Sequence, residues 1–167
     1  MNNHAEDQAR VQCESIAEMV AALECDYDRL EELREARSDW NLSDGSKGPW
    51  CEGNPDDAAE LADLESGAEG CESEDEARER IMEDPLEITV RSDWQAMGET
   101  LKPAEFCILL CTGGPAVRIV GDLDRGEEPS RPRVEYQDWG TPWTEYFPTP
   151  EQRDALQAYC ACFYFGE

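Results

Sequence analysis

Residues 104–123 read AEFCILLCTGGPAVRIVGDL, two short apolar runs joined at Gly113-Gly114-Pro115. Each run is rich in Ile, Val, Leu and Phe and is bounded by turn residues, the pattern of paired strands rather than of a helix. Just upstream, LEITVR (86–91) alternates apolar and polar residues, which gives a strand with one face inward. Downstream, RPRVEYQDW (131–139) is a further strand candidate, reached through the polar loop DRGEEPSRP (124–132). Together these predict an antiparallel sheet of three to four strands. The period then changes again. From Pro150 to Tyr164 apolar residues recur at Leu156, Tyr159, Cys160 and Phe163, a helical face, with Thr149 placed to cap it and Pro150 and Glu151 in its first turn.

Before Leu86 the chain reads as helices. Ile16, Met19, Val20, Leu23, Tyr27, Leu30 and Leu33 form one apolar stripe, so residues 5–37 are expected to be a single long helix. That stripe is either core or a homodimer seam. SDWNLSDGSKGPW (38–50) reads as a loop. A second helix is expected from Pro55, with Asn54 as a candidate cap, to Ser66-Gly67. SGAEGCES breaks the pattern, and a third helix is expected over 73–82, with acids in its first turn. The expected class is α+β: acidic helices over 1–85, then an antiparallel sheet and a C-terminal helix over 86–167.

The chain has 167 residues, 40 acids and 14 bases, a net charge of −26. The imbalance is uneven: residues 1–85 hold 26 acids and 7 bases, residues 86–167 hold 14 and 7. Such charge disfavours direct binding to nucleic acid or anionic lipid and favours basic partners. The longest apolar run, FCILLC (106–111), is too short to span a bilayer, and no signal peptide is visible, so a cytoplasmic protein is expected. Eight cysteines without a Cys-x₂-Cys pair, and a single histidine, His4, give no zinc signature. Reduced cysteines acting as small hydrophobes are the ordinary reading.

Enzyme chemistry finds little support. There is no glycine-rich phosphate loop with a lysine, and one histidine near the terminus argues against Ser-His or Cys-His nucleophiles. Two acid-rich stretches, DWNLSDG (39–45) and DLDRGEE (122–128), lack glycine at the sixth position that a calcium loop needs. No cofactor and no metal site are expected.

The acids themselves carry more information. Residues 56–76 hold ten acids and no base. Glu24, Asp28, Glu31 and Glu35 are spaced four, three and four, which puts them in a line on one helical face. Asp56, Asp57, Glu60 and Asp63 repeat the pattern opposite Leu61 and Leu64, and Glu72, Glu74, Asp75 and Glu76 extend it. Each neighbouring like-charge pair costs roughly 0.2–0.5 kcal/mol. A solvated helix face explains one such stripe better than three. Acids every three or four residues stand about 5 Å apart along a helix axis, and duplex DNA carries one charge per about 1.7 Å. Helices side by side can therefore imitate a phosphate array.

In this acidic, helix-rich profile, residues 1–85 resemble the DNA-mimic inhibitors that phages and mobile elements direct against restriction enzymes and CRISPR effectors. TGGPAVRIVGDLD (112–124) and YQDWGTPWTEYF (136–147) look like a module of small uncharacterised phage and plasmid proteins. The resemblance implies a non-catalytic inhibitor whose twelve acids, Glu24 to Glu76, stand in for phosphates against a basic nucleic-acid-binding protein. The alternative is an acidic adaptor or immunity-type protein that binds one basic partner by shape. The aromatics Tyr136, Trp139, Trp143, Tyr146 and Phe147 are then either core or the anchor, with Trp143 the first candidate.

Overall fold

A computed structural model describes residues 4–42, 48–124 and 127–166. The chain is α+β: helices first, then a five-stranded antiparallel sheet, then a terminal helix. It divides into two compact units, Ala21–Arg78 and Met1–Val20 with Glu79–Glu167. The two acid-rich stretches DWNLSDG and DLDRGEE lie partly on residues 43–45 and 125–126, outside the described residues.

The Ala21–Arg78 unit is helical. The single long helix expected over 5–37 is instead two, α1 (His4–Leu23) and α2 (Tyr27–Leu42). Asp26 is the reason. Its carboxylate accepts from the Arg29 backbone N–H at 3.0 Å, and its carbonyl accepts from Leu30 N–H at 3.0 Å, which starts a new helix at Tyr27. The Tyr27 hydroxyl donates to the Ala22 carbonyl at 2.8 Å, an acceptor it shares with the Cys25 backbone N–H at 3.3 Å, which ties the start of α2 to the end of α1. A short helix α3 (Trp50–Gly53) follows, then α4 (Pro55–Gly67) and α5 (Glu74–Glu83). Pro55 opens α4 as expected, but the Asn54 amide donates to the Trp50 carbonyl and does not cap. Ser73 does cap α5, accepting from Glu76 N–H at 3.2 Å. Leu30, Leu33, Trp50, Leu61 and Ala68 form the core of this unit, and Ala22, Cys71 and Ala77 form a smaller cluster.

The other unit is built on the sheet, in the order β1 (Glu87–Ser92), β2 (Pro103–Cys111), β3 (Ala116–Asp124), β4 (Glu128–Gln137) and β5 (Thr144–Tyr146). Every neighbour is a sequence neighbour, so the sheet is a meander. Burial alternates along both central strands: Phe106, Ile108 and Leu110 of β2 and Val117, Ile119 and Leu123 of β3 point into the core. Opposite Phe106 stands Gly121, whose missing side chain makes room for the ring.

Two features of the sheet differ from the sequence reading. DRGEEPSRP is not mainly loop, because β4 begins at Glu128 and pairs Pro129 with Leu123. Its prolines are tolerated because β5 covers only Val134–Tyr136, leaving the far side of residues 128–133 without a ladder that needs their N–H groups. The fifth strand, β5, is three residues inside the aromatic block, following a turn closed by Thr141 N–H to the Asp138 carbonyl at 3.1 Å.

Helix α6 (Pro150–Ala161) buries Leu156, Tyr159 and Cys160, with Phe163 beyond its end, and Thr149 and Gln152 form a reciprocal capping box. The Gln157 amide donates to the Pro129 carbonyl at 2.8 Å, tying α6 to β4. The first part of the stripe, Ile16, Met19 and Val20, is buried within the chain, with Cys13 beside it, so it is core and not a free seam.

Candidate partner-binding surface

The Ala21–Arg78 unit contains 19 acids and 5 bases in its sequence. All twelve acids singled out above lie at its surface; Asp57 is half-buried and the rest are exposed. Three of them are nevertheless neutralised by arginines of α2. Arg29 grips Glu60 with two parallel hydrogen bonds, 3.0 and 2.7 Å, and reaches Asp57 at 3.7 Å and Glu32 at 3.3 Å. Arg34 holds Glu72 and lies 3.5 Å from Glu65, and Arg37 lies 3.3 Å from the same Glu65 oxygen. The Arg29 hydrogen bonds hold the Glu60 carboxyl below its ordinary range.

The cause is packing. Helices α2 and α4 bury Leu30, Leu33 and Leu61 against each other, and side chains flanking that seam face across it. Arg29 and Arg34 flank the buried stripe of α2, within reach of the acids that flank the stripe of α4. The spacing of Asp57 and Glu60 four and one residues before Leu61 was the available signal.

Of the remaining acids, Glu74 pairs with Arg78 at 2.9 Å, and Glu76 accepts from the Glu72 backbone N–H at 2.8 Å. Glu24, Asp28, Glu31, Glu35, Asp56, Asp63 and Asp75 make no ion pair among the described residues. Glu24 lies in the break between α1 and α2, so it does not continue the line of Asp28, Glu31 and Glu35. Those three occupy the side of α2 away from Leu30 and Leu33, and Asp56 and Asp63 the side of α4 away from Leu61. Because the two helices bury their apolar sides together, their free acids face apart. They form two columns on opposite sides of a helix pair.

Trp143 is in the sheet unit, half-buried, with Arg118 4.0 Å above its ring. It is held by a cation–π contact, and Arg118 is itself paired with Glu135 at 2.7 Å. The exposed aromatics of the block are Trp139 and Phe147, each 79% exposed. Tyr146 is half-buried beside Cys13 and Arg10 of α1.

Sequence reading also missed a hollow of about 430 Å³ on the outer face of the sheet. Thr89, Arg91, Glu105, Cys107, Arg118 and Arg133 line it. Arg91 is paired with Glu105 there. Burial pushes the Cys107 thiol up, against the pull of Arg118, so it is held in the protonated, weakly nucleophilic form. Cross-strand register brings these residues together, and register becomes readable only once the strand ends are known. Among the described residues no group of three or more His, Cys, Asp or Glu could hold a metal ion, and no helix is long and apolar enough to cross a membrane.

The fold and surface define an α+β chain with an acidic helical unit. No known protein family, curated protein or solved structure matches it.

Proposed function

We propose that the chain is a non-catalytic inhibitor of a bacterial defence system, acting in the host cytoplasm as a DNA mimic. It occupies the basic nucleic-acid-binding surface of a CRISPR effector complex or a restriction enzyme. The observation that carries this reading is the pair of acid columns, Asp28, Glu31 and Glu35 on α2 and Asp56 and Asp63 on α4, which make no ion pair among the described residues. Their helices are braced against each other by Arg29, Arg34 and Arg37. Bracing matters because an acid array held in place loses little freedom when it meets a basic groove. Charges on opposite sides of a rod also suit a partner that wraps its ligand, as nucleic-acid channels do. The columns are sparser than a duplex, with neighbouring free acids of α2 about 5 Å apart along the axis, so each one counts.

The test is a pull-down from a defence-proficient bacterial lysate with wild type and with a D28K/E31K/E35K/D63K variant. None of these positions supports an arginine brace, so the helices keep their packing. The expected result is a nucleic-acid-binding protein that duplex DNA displaces, that binds less tightly as salt rises, and that the variant does not retain. Equal capture by the variant, or a partner indifferent to DNA and salt, refutes mimicry.

A second reading rests on Trp139 and Phe147. Large exposed aromatics are frequent anchors of protein interfaces, and these favour an acidic adaptor that recognises one basic partner by shape. Under that reading Trp139→Ala alone abolishes capture, whereas a mimic barely registers it.

A further inference from the structure

Strand β1 is the edge of the sheet, and every residue of Glu87–Arg91 is exposed. The other edge, β5, is three residues long and flanked by Pro142 and Pro148, the usual protection against further pairing. The six residues of β1 contain no proline, glycine or lysine. Register places Ile88 beside Ile108 and Val90 beside Phe106, so both lie on the core face. Yet Ile88 is 40% and Val90 48% exposed, because the covering stops short of this edge.

The sequence of the strand says what fits it. EITVR (87–91) is complementary to itself when run antiparallel about Thr89. Glu87 then meets Arg91, Ile88 meets Val90, and Thr89 meets Thr89. On one face this makes a four-residue apolar cluster that continues the core face of both sheets. On the other it makes two symmetry-related ion pairs. Opposite charges and branched apolar pairs directly across a ladder are both favourable. A strand one residue out of this register would move its apolar residues to the wrong face.

We propose that β1 is a self-association edge: two copies pair β1 to β1, Thr89 opposite Thr89, joining their sheets into one of ten strands. The closed two-fold leaves no free β1 edge for a third copy. The paired area is small for a stable dimer, which typically buries about 1,200 Å² or more, and the net charge of −26 on each copy opposes approach. Association is therefore weak and becomes stronger when salt screens the overall repulsion.

Sedimentation equilibrium over a wide concentration range, at about 0.15 M and about 0.5 M salt, tests this. Wild type is compared with Glu87→Arg and with Arg91→Glu made together with Glu105→Arg, which keeps the in-chain pair with its signs exchanged. Circular dichroism confirms that each is folded. Each variant places like charges opposite each other twice, and should weaken self-association by about tenfold. An equimolar mixture of the two restores opposite charges at both pairs and should associate as tightly as wild type. Wild type that stays monomeric at both salts overturns the proposal. So does a dimer that neither variant weakens, or a mixture that does not recover.

Discussion

Replacing Gly121 with alanine should destabilise the sheet unit by a definable amount. A Cβ at this position would stand 2.6 Å from Cε1 and 2.7 Å from Cζ of Phe106, and 2.8 Å from the carbonyl oxygen of Ser130. Carbon atoms in contact prefer about 3.5–4.0 Å, so the overlap is close to 1 Å. The ring cannot swing aside, because Phe106 is 2% exposed and packs on Phe165 with centroids 4.8 Å apart. The Ser130 oxygen belongs to the backbone of β4 and yields still less. Overpacking of this kind costs about 1–3 kcal/mol, and two obstructions place Gly121→Ala toward the upper end. In a chain of this size each kcal/mol lowers Tm by about 2–4 °C. The assay is urea and thermal unfolding of wild type, Gly121→Ala, Phe106→Leu and the double variant. Leucine removes the offending ring atoms, so the double variant should cost less than the sum of the singles by about 1 kcal/mol. A Gly121→Ala protein within about 0.5 kcal/mol of wild type, or strict additivity in the cycle, would refute the packing argument.

Two further outcomes follow from the helices and the thiols. Leu33→Ala, at a side chain 2% exposed in the helical core, should cost about 2–5 kcal/mol. Hydrogen exchange should show the loss of protection concentrated in residues 21–78. Burial pushes the Cys13 thiol from 9.0 to about 12 and raises Cys160 as well. Both thiols stay protonated in the folded chain while the unfolded chain releases their protons, so stability is full below about 9 and falls as pH rises towards 12. The urea midpoint should drop between about pH 9 and pH 11, and less so in Cys13→Ala; a flat profile would contradict the burial of these thiols.

Local periodicity made much of the fold legible. The two apolar runs of 104–123 named a pair of strands, the helical stripe ending at Phe163 named a helix and its buried face, and Thr149 named a cap. What escaped depends on choices between similar local options. Asp26 is one acid among many, and nothing around it marks it as the residue that ends one helix and starts another. Three residues of β5 are too few to show a period. The candidate surface was half legible: the acids are on the surface, as their spacing implies. Which of them are neutralised depends on which helix packs against which, and no residue of α2 states that its partner is α4.

The arginine braces have a consequence for how this surface can change. With acids so numerous, arginine is the scarce component, and its few positions act as a stencil for the outward field. Moving one arginine by a single residue around α2 would release one or two carboxylates at the seam and cover others on the far side. The acids themselves need not be altered. A sequence of this composition can thus redraw its electrostatic pattern through three positions, Arg29, Arg34 and Arg37, while its net charge stays fixed.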